Sequence, residues 1–193
     1  MNTKTTLLAL GLSALLGACA HPISIAPKMD LAAAEAPVRQ KSVAYVITQA
    51  DRDREVTSPG GGGDKISYFP YRDLETGFFN VLNSIYARVT LLRQTSDKQE
   101  LEKSKASLIF IPEVTTNSSS DGLFTWPPTE FSIVVKYTVQ SGDAKPVYSN
   151  IIQGTGRATF DEFKKEFGLA GRLASEDVLK KFKEQVRSAP ELK

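Results

Sequence analysis

Cysteine and histidine are almost absent from this 193-residue chain, which holds one of each, Cys19 and His21, and a single tryptophan, Trp126. A disulfide needs two thiols, so none can form within a monomer. A structural zinc site needs about four nitrogen or sulfur ligands, which one His and one Cys do not supply. A Ser-His-Asp arrangement could draw only on His21, which stands beside Pro22 near the start of the chain. A large excess of one charge sign is also missing. Lys and Arg number 24 against 22 Asp and Glu, and a net +2 is not the excess that nucleic-acid binding calls for. No apolar run approaches the roughly 20 residues that a spanning helix needs. What remains, 41% hydrophobic and 24% charged residues, is ordinary globular composition at a length that suits one domain with a tail.

The amino terminus carries the most specific pattern. Met1 to Thr6 is polar with one positive charge, Lys4, and Leu7 to Leu16 is an apolar run closed by Gly17-Ala18-Cys19. A basic start, an apolar stretch of about 7–15 residues and a small-residue end describe a secretory signal peptide. Its last four residues, Leu16-Gly17-Ala18-Cys19, resemble the lipobox of bacterial lipoproteins. That resemblance implies a diacylglyceryl group on the Cys19 sulfur, cleavage before Cys19 and acylation of the new amine. Two or more acyl chains anchor stably, where one is marginal. Ala20 stands where an Asp tends to retain Gram-negative lipoproteins at the inner membrane, so the resemblance implies the outer membrane. Removing residues 1–18 takes away one lysine and no acid, which leaves the mature chain nearly neutral.

Behind the anchor, residues 19–41 hold three prolines and a small-residue run without sustained periodicity. They read as an acylated Cys followed by a flexible tether, with a solvated His21, and a single domain follows over 42–193. Val43 to Ile47 is a short buried strand, and Ser58 to Asp64, with four glycines, is a mobile loop. Those glycines do not make a phosphate-binding P-loop, because Gly63 is followed by Asp64-Lys65-Ile66 and not by Lys and a hydroxyl residue. The spacing of Leu74, Phe78, Val81, Leu82, Ile85 and Val89 predicts a helix over Arg72 to Val89. A strand over Val89 to Leu92, a short charged helix near Asp97 to Lys105 and a strand over Ser107 to Thr116 follow, with Pro112 interrupting the last ladder. Phe131, Ile133, Val135, Tyr137 and Val139 alternate with more polar residues, as in an antiparallel strand over a core. Val147 to Ala158 returns as its hairpin partner, where Gly154 and Gly156 mark a weak end or a close backbone approach. Thr159 and Glu162 match a capping box for a short helix ending at Gly168, and a last helix runs from Ser175 to Arg187.

Catalytic patterns do not emerge. Asp51-Arg52-Asp53 reads as a solvated turn, since a hard cation would need further oxygen ligands. Glu75, Glu113 and Glu130 carry no spacing that singles them out for acid/base work. Neither a cofactor nor a metal is implied. The unusual segment is Asn117 to Glu130, where Leu123, Phe124 and Trp126 sit beside Pro127-Pro128 in a polar loop. Exposed aromatics are common contact anchors, so these three are the candidate binding residues, touching either a partner or a membrane. The other reading is that Trp126 folds back over the core.

The element order predicts an α+β fold: a mixed, largely antiparallel sheet of about five strands with two main helices packed on one face. That order, together with the size and the lipobox, resembles the small outer-membrane lipoproteins of the YajG-like group and the related amino-terminal domain of TolB. The expectation is a non-enzymatic outer-membrane lipoprotein, held to the bilayer through acylated Cys19, whose periplasmic domain binds an envelope protein. The partner would belong to assembly, secretion or cell-wall machinery. The alternative is a module that binds peptidoglycan or another glycan.

Overall fold

The computed structural model describes residues 20–28, 37–94, 98–121 and 127–193. In chain order it holds β1 (His21–Pro22), β2 (Arg39–Val46), α1 (Gln49–Asp53), β3 (Val56–Pro59), β4 (Lys65–Tyr68), α2 (Pro70–Asn83) and β5 (Tyr86–Leu92). There follow α3 (Lys98–Ser104), β6 (Leu108–Ser119), β7 (Glu130–Ser141), β8 (Pro146–Arg157), α4 (Phe160–Phe163) and α5 (Leu169–Ser188). The fold is α+β, as the pattern predicts, but built on two mixed sheets. One has five strands in the order β5-β2-β6-β7-β8, and the other has three in the order β1-β4-β3.

In the larger sheet β2 runs parallel to both β5 and β6, while β6, β7 and β8 form an antiparallel meander. The run Val43-Ala44-Tyr45-Val46 is buried along its whole length because it serves two faces. Val43 and Tyr45 enter the main core, while Ala44 and Val46 join Leu92, Ala106 and Ile109 on the other side. The alternating residues Phe131 to Val139 of β7 are all buried. Over them lies Phe182 of α5, with ring centroids 4.9 Å from Tyr137, 5.4 Å from Phe78 of α2 and 6.2 Å from Phe110 of β6. Edge-on aromatic contacts of this kind add to simple area burial.

Gly154 and Gly156 are where α5 approaches most closely. A Cβ at Gly154 would collide with the Ala174 carbonyl oxygen, and one at Gly156 with the Ala170 carbonyl oxygen. Pro112 does not break its ladder. It lies past Phe110, the last β6 residue paired with β2, and its nitrogen faces the side that β2 has left. Two residues on, the Val114 N–H on that same side donates to the Tyr71 hydroxyl at 2.9 Å.

Several elements differ from their predicted extents. Helix α2 stops at Asn83, and Ile85 and Val89 belong to the turn and strand beyond it. A step of four residues keeps one face in a strand as well as in a helix, so the apolar stripe ran on without marking the change. The glycine segment is a hairpin turn between β3 and β4. Gly62 and Gly63 take positive φ angles of 68° and 86°, and the Gly60 N–H bonds to the Asp64 carbonyl. Helix α5 begins at Leu169 and not at Ser175, and α4 is a single turn in which Glu162 accepts from the Thr159 N–H at 2.9 Å. The largest difference is at the front: residues 20–28 are not a tether but part of the fold.

Candidate functional site

The two sheets meet along one transverse row. His21 pairs with Ile66, and Ile66 with Ser58. The Ser58 and Ser118 hydroxyls are 2.7 Å apart, and Ser118 pairs with Phe131, which pairs with Gly156. The Tyr68 hydroxyl reinforces the joint at 3.2 Å from Ser58 and 2.7 Å from Thr116. Four hydroxyl groups that burial would penalise singly satisfy one another here. Beyond this row lies one end of the molecule, formed by the β3–β4 turn, the close of β6, the start of β7 and the close of β8.

From that row the amino-terminal strap runs across the domain. The Ile23 N–H donates to the Ser67 carbonyl at 2.9 Å, the Ile25 N–H to Asp73 Oδ2 at 2.7 Å and the Lys28 N–H to Glu176 Oε1 at 3.1 Å. Ile25 is fully buried. The strap fits because its bed is made of glycine: a Cβ at Gly168 would strike the Ser24 carbonyl oxygen, and one at Gly171 the Ile25 side chain. Burial pushes the Asp73 carboxyl above the usual carboxylate range, against the opposing pull of the Ile25 N–H, the Ser24 hydroxyl and Arg72.

A raised folded-state pKa means that ionised Asp73 costs stability, fully so above that value, and the cost vanishes as pH falls below the unfolded value. Asp73→Asn keeps an acceptor for Ile25 without the buried charge. It is therefore expected to melt no lower than the parent at pH 7, with any advantage shrinking as pH falls toward 3.8. Asp73→Ala strands the Ile25 N–H and is expected to cost about 1–3 kcal/mol. Thermal melts of the three proteins across pH check both statements.

A groove of about 540 Å³ opens at the same end, lined by Asn117, Ser119, Glu130, Ser132, Thr155 and Arg157. Small hydroxyl and amide side chains dominate it, and its two charges are opposite. Arg157 Nη2 lies 2.8 Å from Glu130 and 3.0 Å from Asp121. Such a lining can exchange hydrogen bonds with a polyhydroxylated ligand. The sequence signal for it was the set of small polar residues at outward positions on three adjacent strand ends, a pattern easily read as plain solvent exposure.

The other candidates are committed elsewhere. Arg52 lies 2.6 Å and Arg93 2.7 Å from the Glu75 carboxylate, joining α1, α2 and the end of β5. Burial alone would raise Glu75, but hydrogen bonds from Arg93 and Arg52 outweigh it and hold the group below its ordinary value. The Asp51 N–H is capped by Thr48 at 3.0 Å, and Asp53 accepts from Gln49 at 2.7 Å, so the Asp51-x-Asp53 pair helps build α1. Glu113 pairs with Lys136 at 3.3 Å, and His21 Nε2 lies 3.6 Å from Asp64 on the surface. Among the described residues, no group of three His, Cys, Asp or Glu is placed to hold a metal ion. No helix among them is long and apolar enough to cross a membrane. Cys19 and the aromatic trio Leu123, Phe124 and Trp126 lie outside the described residues.

No protein-family model and no curated protein matches this chain. Solved structures that overlap with it include a DUF330-family protein from Xanthomonas campestris, at 9% identity and TM-score 0.48, covering 88% of this chain and 93% of that one. A minor lipoprotein from Acinetobacter baumannii overlaps at 11% identity and TM-score 0.44, over 76% of this chain and 92% of that one. A neuraminyllactose-binding hemagglutinin homologue from Helicobacter pylori does so at 11% identity and TM-score 0.45, over 82% and 89%. Overlap at this level carries no functional residue from those proteins to this chain.

Proposed function

We propose that this protein is a non-enzymatic outer-membrane lipoprotein, anchored through acylated Cys19, whose periplasmic domain binds an envelope protein of assembly, secretion or cell-wall machinery. The observation that carries the anchor is the Leu16-Gly17-Ala18-Cys19 sequence directly ahead of a folded domain. The surface left for a partner is the outer face of the β6–β7–β8 meander. There Ile151 is 61% and Val147 39% exposed, beside the Lys136–Glu113 pair. The free edge of β8 is partly closed, because the Thr155 N–H donates to Asp177 at 2.9 Å and Lys181 donates to the Gln153 carbonyl at 2.8 Å. A partner therefore meets the face of the sheet sooner than it adds a strand to that edge.

The polar groove favours the second reading, a glycan-binding module, since Asn117, Ser132 and Thr155 offer donors and acceptors at close spacing. Crosslinking in cells separates the two. A stoichiometric protein adduct that an Ile151→Lys variant loses supports partner binding. Retention of the purified domain on isolated sacculi, lost on Ser132→Trp, supports the glycan reading and counts against the first.

A further inference from the structure

We infer that the domain sits directly on the bilayer in one fixed orientation, with the end beyond the His21–Ile66–Ser58 and Ser118–Phe131–Gly156 row against the lipid headgroups. This rests on the lipoprotein reading. Only Ala20 separates Cys19 from His21, which is already paired in β1. One residue spans at most about 3.6 Å, so the acylated sulfur cannot leave the end of the molecule at which β1 begins. A flexible tether of roughly twenty residues would instead have let the domain wander by about 25 Å.

The strap resists being pulled free. It is held by the Ile23 and Ile25 N–H bonds, by the burial of Ile25, and by an ion pair of 3.0 Å between Lys28 and Glu166. Detaching it to lengthen the link would expose Ile25 and strand those amides.

The chemistry of that end fits a headgroup surface. Among the described residues its charged groups are few: Arg157 lies between Asp121 and Glu130, and Asp64 lies 3.6 Å from His21. Among the described residues of that end, no basic patch draws the domain down. The acyl chains supply the attraction, and the strap supplies the orientation. Beside Arg157, the Phe160 ring is 52% exposed with the Lys164 ammonium 4.1 Å from its centroid. An apolar ring in contact with a cation, here one that also pairs with Asp161 at 3.2 Å, suits the headgroup boundary. The opposite end, at the Ser141–Lys145 turn, is carried away from the lipid by the length of β7, about 35 Å at roughly 3.3 Å per residue. The polar groove then opens sideways close to the bilayer, and the far turn faces the periplasm.

The test uses the full acylated protein, in which lipid occupies the Cys19 sulfur and leaves an introduced thiol as the only reactive one. Lys65→Cys, Ser119→Cys and Lys145→Cys are labelled separately with a fluorophore. Each is placed in phosphatidylethanolamine–phosphatidylglycerol vesicles carrying a headgroup-attached nitroxide quencher. The expected result is loss of emission at positions 65 and 119 and none at 145. Equal loss at all three positions, or none at any, overturns the orientation. Inserting about twenty Gly and Ser residues between Ala20 and His21 is expected to abolish the difference, and a difference that persists would contradict the strap as its cause. The mass of the starting protein keeps the two ideas apart. Absence of diacylglyceryl on Cys19 overturns the lipoprotein reading and this inference with it. With the lipid present, the quenching pattern judges the orientation alone.

Discussion

Ile25→Ala is expected to destabilise the domain by about 2–5 kcal/mol, the cost of removing a fully buried aliphatic side chain and leaving a cavity. Ile25 is completely enclosed, packed against Gly171 with its N–H on Asp73. Total stability in domains of this kind is about 5–15 kcal/mol, so the loss would show as a large drop in the urea midpoint. Val38→Ala is the control. Val38 is 59% exposed, and its truncation is expected to change stability by less than about 0.5 kcal/mol. Equal midpoints for the two variants would mean that the strap is not part of the cooperative fold.

The second large effect is expected at the helix–sheet contact. Gly156→Val would place its Cβ against the Ala170 carbonyl oxygen and 2.5 Å from the Ala174 nitrogen, both of them backbone atoms of α5. Flexible side chains could yield, but helix backbone yields only if the whole helix moves. Overpacking usually costs about 1–3 kcal/mol and sometimes more, and a displaced α5 would also loosen Phe182 from Phe78, Phe110 and Tyr137. A loss at or above the upper end of that range is therefore expected in chemical denaturation. Thr155→Val, one residue away on the exposed face, lacks that collision and removes only a hydroxyl. A Gly156→Val protein as stable as Thr155→Val would contradict the close packing.

These two positions show why parts of the fold could be read directly and others could not. Strand β7 was legible because five alternating apolar residues admit only a half-buried strand. Gly154 and Gly156 were legible as a backbone approach because a strand has little other use for paired glycines. Strands β1, β3 and β4 were not, since they span only two to four residues each. Their burial depends on Ser58, Tyr68, Thr116 and Ser118, partners up to 60 positions apart whose hydroxyls no local pattern marks as buried. In the strap, Ile23 and Ile25 alternate as strand residues should, but Pro22 and Pro27 on either side gave the segment the look of a linker. The candidate site divides the same way. A lipobox is a local pattern and needs no tertiary knowledge, whereas the groove assembles from three strand ends.

We propose that this domain is lipid-anchored and that its chain enters the fold immediately after the anchor. The most direct measurement is the mass of the amino-terminal peptide of the mature protein, isolated from membranes of cells that express the full chain. A first residue Cys19 carrying diacylglyceryl on sulfur and an acyl group on its amine is the predicted result. A mature chain that begins at another residue, or at Cys19 with an unmodified thiol, would contradict a lipid anchor at this position.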